Sequence, residues 1–486
     1  MTTIKKDLAP EPVWKYFKQI SRIPRSSKNE AAIRKYILNR ARVLKLDAAV
    51  DNAGNVVVRK LASTGRQHVR SVAIQGHLDM VCEKNSGKRH DFAKDPIKLV
   101  LNGDILKADG TTLGADNGIA VAANLAIMED RSLEHGPLEL LFTVDEETGM
   151  TGALNLHPDF LQSRTMLNLD SEDEGVLYVG CAGGRDTTGF WKIPFERVPG
   201  RSVAGQLKVT NLKGGHSGLD IDKCRGNAIK IANRVLKALE PTGARLVRID
   251  GGNKHNAIPR ECTTHLLLPE NKIETAERII GELYEAVSHE LYFSDPDFKM
   301  DFVADFKGIR NAKAMKRTFQ KKIVRTISAI PHGIVKMSPD IAGLVETSTN
   351  VAVIETDRET LSLVTSQRSS VDSELEEITD TVSSVFALSG ASIRYTDGYP
   401  GWKPDMKSAI LKLARTAYRS LYGRSVRVRA IHAGLECGVI GERIQGMDMI
   451  SFGPTIQGAH SPDERIQISS VDKFWKFLLE ILKRVR

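Results

Sequence analysis

The chain has few cysteines and leaves them unpatterned. Cys82, Cys181, Cys224, Cys262 and Cys437 are odd in number, widely spaced and free of any CxxC or Cys/His zinc-finger arrangement. That argues against a disulfide framework and fits a reducing cytosol. Long hydrophobic runs are missing too: no stretch approaches a membrane span, and Met1–Asp7 holds no apolar core of signal-peptide length. Nor is there a long block of one charge sign. The formal net charge is +9, but lysine and arginine are dispersed, which gives little support to nucleic acid or a membrane as partner. A soluble, cytoplasmic protein is expected.

What is present begins with size. At 486 residues and 41% apolar content, the chain exceeds what a single core usually serves, so two or more domains are expected. One stretch stands out, Leu138 to Val144, an apolar run that ends in Asp145-Glu146-Glu147. Such a run reads as a buried strand whose carboxyl edge opens on a crevice. Three adjacent acids there repel one another unless a cation compensates them or one carries a proton. Taken alone, a solvated acidic turn is the better reading.

The order of elements gives the organisation. Helical spacing covers Pro12 to Lys45, and short strands follow at Asn55–Arg59 and Val72–Gln75. A hairpin is expected near Asn102-Gly103, and a small-residue-rich helix opens near Asp116 and runs to about Glu129. Strand, helix, strand, strand with acids at the carboxyl ends is an α/β arrangement. From about Arg185 to Thr396 the texture becomes α+β, with helices at 227–239, 273–289 and 370–389 between strands. The last part returns to the first texture. We therefore expect a mixed, largely parallel sheet flanked by helices in a discontinuous domain, 1–185 and 397–486. An insertion at 186–396 is expected to form two sandwich-like units.

Five residues stand at strand ends or turns: His77, Asp116, Glu147, Asp170 and His460. Each has a plain alternative. His77 alone reads as a core histidine, Asp116 as a helix N-cap, Asp170 as the cap of a turn and His460 as a loop histidine. Asp79, two residues after His77, can fix the tautomer of a ligating imidazole.

Together these stretches resemble one family. His77-Leu78-Asp79, Gly114-Ala115-Asp116-Asn117-Gly118, Asp145-Glu146-Glu147-Thr148-Gly149, Asn168-Leu169-Asp170-Ser171-Glu172 and Gly458-Ala459-His460-Ser461-Pro462 look like the ordered motifs of the co-catalytic zinc peptidases. That family includes carboxypeptidase G, the aminoacylases, tripeptidase T and the cytosolic dipeptidases. The long insertion and Ile431-His432-Ala433-Gly434-Leu435-Glu436-Cys437-Gly438 are most similar to its aminoacylhistidine (Xaa-His) dipeptidase branch. The resemblance implies two Zn2+ ions, with Co2+ or Mn2+ as substitutes. Asp116 would bridge them, His77 and Asp170 completing one site and Glu147 and His460 the other. Glu146 would be the general base and Asp79 would orient His77, while Asp145 is left as structural. In the insertion, His216 in Lys213-Gly214-Gly215-His216-Ser217-Gly218 resembles a lid histidine that stabilises an oxyanion. Asn256 resembles the lid's substrate-binding asparagine. Arg368 is the candidate for the substrate carboxylate, with a strand-end surface charge as its alternative. Gly434 is a further candidate to present backbone to substrate.

The resemblance implies a metal-dependent dipeptidase acting on unblocked dipeptides, Xaa-His among them, as monomer or homodimer. His216 is expected to act within its own chain, the second half of the double-length insertion taking the place that a partner subunit has in smaller family members. An N-acyl-amino-acid amidohydrolase on the same fold is the alternative. A non-catalytic metal- or nucleic-acid-binding protein is the rival from another class, and an intact Glu146 speaks against it.

Overall fold

The computed structural model describes residues 8–198, 201–310 and 312–486; the stretch Met1–Asp7, expected to lack a signal segment, lies outside them. The chain forms two compact units. One comprises Met1–Cys181, Trp402–Ala430 and Leu435–Arg486, and the other Ala182–Gly401 with Ile431–Gly434. Among the described residues no helix is long and apolar enough to cross a membrane.

The first unit is built on an eight-stranded mixed sheet. Its order is Asp47–Val50, Val56–Lys60, Leu138–Thr143, Val72–His77, Thr165–Asn168, Asp448–Ser451, Val176–Cys181 and Arg427–Ile431. The four middle strands run parallel and the strands toward Asp47 are antiparallel. Leu138–Thr143 and Val72–His77 are buried at every position, which explains why both are mostly apolar. Helix Ala115–Glu129 is apolar on every side because nearly all of it is buried; Asp116 is one of few residues that is not. It comes so close to the sheet that a Cβ at Gly76 would collide with Asn117 and Ala120. Helices Glu11–Ile20 and Ile468–Arg484 bury one face each, through Trp14, Phe17 and Ile20 and through Phe474, Leu478 and Ile481.

The second unit carries a nine-stranded sheet. From one edge the order is Lys299–Arg310, Arg201–Thr210, Cys262–Pro269, Arg245–Gly251, Val345–Asp357, Thr360–Ser369, Gly183–Lys192 and Ser392–Tyr395, with Gly333–Met337 also paired to Val345–Asp357. The expected pair of helix-covered units shares this sheet. The halves meet through the register pair Gly251–Ile354, and Thr356 finishes the join by bonding the backbone of Ile249 and Asp250 Oδ1. Helices Ala228–Ala238, Ile273–Glu290, Arg317–Ala329 and Asp372–Leu388 contribute to one continuous core with residues of both halves, among them Leu207, Leu246, Leu266, Val351 and Leu363.

Candidate metal centre and substrate-binding groups

The carboxyl ends of three neighbouring parallel strands deliver the first site. Val72–His77 ends on His77, Leu138–Thr143 leads to Glu146 and Glu147, and Thr165–Asn168 leads to Asp170. Asp116 enters from the start of helix Ala115–Glu129, where it and Asn117 depart from helical geometry. His460 enters from the loop between Ile456–Gln457 and Arg465–Gln467, in a left-handed conformation at φ 62°. The Asp116 carboxylate faces both imidazoles: Oδ1 lies 3.1 Å from His77 Nε2 and Oδ2 lies 3.2 Å from His460 Nε2. Asp170 Oδ1 stands 3.4 Å from His77 Nε2, and Glu147 Oε2 stands 2.9 Å from His460 Nε2. Two sets of three donors result, His77–Asp116–Asp170 and Asp116–Glu147–His460, sharing Asp116, and in each the donor atoms lie within 4.8 Å of one another.

The acid triplet sits differently from a plain strand end. The strand stops at Thr143, Asp145 turns the chain in a left-handed conformation at φ 54°, and Glu146 and Glu147 lie on a short helical turn, Glu146–Gly149. Successive residues on a helical turn diverge by roughly 100°, so the two glutamates point apart by helical rotation rather than by strand alternation. Asp145 holds that turn: its carboxylate accepts bonds from Thr148 Oγ1 and Thr151 Oγ1, and its N–H donates to Glu30 Oε1 at 3.1 Å. Asp79 lies behind His77, with Oδ1 3.3 Å from Nδ1. It also accepts the amide N–H groups of Glu146 and Glu147, at 3.1 and 3.2 Å.

The donor chemistry fits a pair of divalent cations. Burial pushes the Glu146 carboxyl well above the ordinary range; His77 opposes the shift and Asp170, Glu436 and Glu147 add to it. Asp170 is raised by burial as well. Hydrogen bonds to Asp116 and Glu147 push His460 up to about 11. His77 also stands well above its usual value: burial opposes the shift, but Asp170 and Asp116 outweigh it. The cluster thus draws protons to itself, a demand for positive charge that metal ions meet with more charge per site. Glu147 Oε1 is buried without a hydrogen-bond partner in the described structure, as a ligand oxygen would be. Two imidazoles and three carboxylates are the donor set of zinc or its neighbours.

Two groups that the motifs do not reveal hold the frame. Arg25 is buried and donates from Nη1 to the carbonyls of Leu78 and Asp79, at 3.0 and 2.9 Å, and from Nη2 to that of Gly114. Glu464 accepts four backbone N–H groups, those of Leu113, Gly114, Ala115 and Asp116, at 2.7 to 3.3 Å. It stands four residues after His460, so one loop supplies a donor and also fixes the segment carrying Asp116. Glu464→Ala is expected to strand those amides at a cost of about 3 kcal/mol or more. Thermal denaturation with and without metal tests this, and an unchanged Tm would refute the role.

The second unit gathers its own group. His216 pairs with Ala257 on the ribbon formed by Gly215–His216 and Ala257–Ile258, and the Ser217 N–H donates to Asn256 O at 2.8 Å. His216 Nδ1 accepts the N–H groups of Gly218 and Leu219 at 3.1 and 3.0 Å, which places its ring proton on Nε2. Burial, with help from the Arg368 charge, brings His216 down to about 4, so it is neutral at pH 7. Arg368 is buried, donating from Nη1 to Tyr399 Oη at 2.8 Å and from Nε to Ser217 Oγ at 3.4 Å. No acidic side chain pairs with it among the described residues. Gly434 packs against the Tyr399 ring, which a Cβ would meet at 2.9 Å.

Comparisons with known proteins agree on one relationship. The model of Peptidase family M20/M25/M40 matches residues 73–484. The cytosol non-specific dipeptidase of Escherichia coli (strain K12) is 39% identical over 481 residues, covering 98% of each chain. The crystal structure of aminoacylhistidine dipeptidase from Vibrio alginolyticus superposes with a TM-score of 0.89 at 39% identity, covering 99% of this chain and 97% of that one. Aminopeptidase PepT from Bacillus cereus, 16% identical with a TM-score of 0.62, shares the fold over 99% of this chain and 100% of its own. With its two donor sets on the sheet's carboxyl edge and this likeness over nearly its whole length, the chain belongs to peptidase family M20/M25/M40.

Proposed function

We propose that this protein is a cytosolic, metal-dependent dipeptidase that hydrolyses unblocked dipeptides, Xaa-His among them, with two Zn2+ ions as its cofactor. The observation that carries the reading is Asp116 shared between two sets of three donors, with Glu146 beside them, within reach of His77 and Glu147 but in neither set. The names of the Escherichia coli and Vibrio alginolyticus relatives point to the same activity.

His77, Asp116 and Asp170 would hold one ion and Asp116, Glu147 and His460 the other. When bound, they lower the pKa of an attacking water and polarise the scissile carbonyl. Glu146 takes the proton from that water and returns it to the leaving amine. Asp79 keeps His77 oriented. His216 is assigned the developing oxyanion, for which a neutral ring with its proton on Nε2 is the suitable donor. Asn256 and the Gly434 backbone are assigned to substrate binding. Arg368, a buried cation without an acidic partner among the described residues, is assigned the dipeptide's terminal carboxylate.

A panel of Xaa-His dipeptides, other dipeptides and N-acetyl amino acids, run with metal analysis, tests the proposal. Cleavage of unblocked dipeptides that a chelator abolishes and zinc restores is expected. Preference for N-acetyl amino acids would replace it with the amidohydrolase reading. For Arg368→Ala, KM for dipeptides should rise by about 30-fold, or ~2 kcal/mol, as when one partner of a buried charge pair is truncated. Dipeptide amides lack the carboxylate, so the variant should treat acid and amide alike. Continued discrimination between them would remove Arg368 from this role.

A further inference from the structure

Glu436 is fully buried at the start of helix Glu436–Arg443, and none of the assigned roles uses it. Its Oε2 accepts two hydrogen bonds, from Gln75 Nε2 at 2.5 Å and from Thr143 Oγ1 at 2.7 Å. Oε1 is buried and has no hydrogen-bond partner in the described structure. Gln75 Nε2 also reaches Thr143 Oγ1 at 3.0 Å, and Gln75 Oε1 accepts from Asn168 Nδ2. One carboxyl group therefore orients a chain of side chains across three adjacent strands.

The register of those strands gives the network its place. Gln75 pairs with Asn168, and His77 pairs with Thr143. Gln75 lies two residues before His77, and Asn168 two before Asp170. Residues two apart on a strand share a face, so Gln75 lies one step below His77, with Asn168 beside it and Asp170 just past the end of the neighbouring strand. The other donors lack this support: His460 comes from a distant loop, Glu147 from the turn held by Asp145 and Asp79, and Asp116 from the segment held by Glu464.

A buried carboxyl without a cation costs stability, and an apolar side chain of similar volume would remove that cost. Its presence calls for a role beyond packing. Resting on the two-metal reading above, we propose that Glu436 is a positioning residue for one half of the metal centre: through Gln75 and Asn168 it sets His77 and Asp170 for their ion. Burial pushes its carboxyl up to about 8, so at neutral pH it is mostly protonated and acts through hydrogen bonds.

The test measures metal binding without substrate, by calorimetric titration of the metal-free full-length protein with Zn2+. For Glu436→Leu, one of two sites should weaken by about 10–100-fold, the range for partners behind a ligand, while the other keeps its affinity. Glu436→Gln keeps an acceptor for Gln75 and Thr143 without charge and should hold both affinities within about twofold. Equal weakening of both sites in Glu436→Leu, no weakening of either, or failure of Glu436→Gln to restore the weakened site would each overturn the proposal. Should Glu436→Leu not fold, Gln75→Leu must reproduce the one-site loss, and a loss of both or neither would overturn it equally. Two sites in the parent chain without dipeptide hydrolysis would refute the proposed function while leaving this inference standing.

Discussion

Glu146→Gln is expected to keep both metal ions and to lose about 10²–10⁴-fold in kcat, or ~3–5 kcal/mol of transition-state stabilisation. The substitution preserves shape and removes the proton acceptor. Metal should stay because neither donor set around Asp116 includes Glu146, and because Glu147 is the acid 2.9 Å from His460 Nε2. The rival assignment exchanges the neighbours, since Glu146 also lies within reach of His77 and Glu147. Metal analysis of the purified variant decides between them: a lost ion would make Glu146 a ligand. The pH profile gives a second reading. Burial raises the Glu146 carboxyl and bound cations would draw it back down, and its deprotonation in the free enzyme should produce the rising limb of kcat/KM with pH. In Glu146→Gln that limb should flatten. A variant that kept it would place the base elsewhere.

The parts of this molecule that could be read from sequence are those whose signal is local. An apolar run ending in acids, an HxD after a strand and an Ala-rich helix behind Asp116 each report on their own few residues. Even there the reading stops at the backbone. The left-handed turn at Asp145 carries Glu146 and Glu147 off the strand and onto a helical turn, and nothing in the triplet itself announces it. The supporting groups are invisible for a different reason. Glu464 meets Leu113 across 351 positions and Glu436 meets Gln75 across 361, so each acid looks like ordinary loop or helix charge until the fold supplies its partners.

In the second unit, strand Val345–Asp357 was hidden by its composition. Glu346, Thr347, Ser348, Thr349 and Asn350 are buried but polar, which erases the apolar pattern that marks a central strand. Several are satisfied by neighbours: Ser348 meets His432 at 2.7 Å and Asn350 donates to Ala257 O at 2.8 Å. At the sheet edge, Lys299–Arg310 mixes charges with Met300 and Phe302, as an edge strand with one wet face does. Helix Arg317–Ala329, by contrast, is legible: Phe319, Ile323 and Ile327 recur at helical spacing, with lysines and arginines between them, and it adds a fourth helix to the three expected in this unit.

The Asp116→Ala variant should lose both metal ions, which distinguishes it from every other single change at the site. Its two carboxylate oxygens face different imidazoles, His77 and His460, and it is the one residue common to both donor sets. Removing Asp170 takes a donor from the His77 set alone, and removing Glu147 takes one from the His460 set alone. Those variants should each retain one ion. A direct bridging ligand should cost each ion more than the roughly 10–100-fold that a partner behind a ligand costs. The loss can be followed without activity. Metal that binds only the folded chain raises its stability by mass action, so Tm of the parent should climb with added Zn2+. For Asp116→Ala the climb should vanish at concentrations that saturate the parent, and dialysed protein should contain no bound zinc. Two ions per chain in this variant would mean that the sites are independent and that Asp116 does not bridge them.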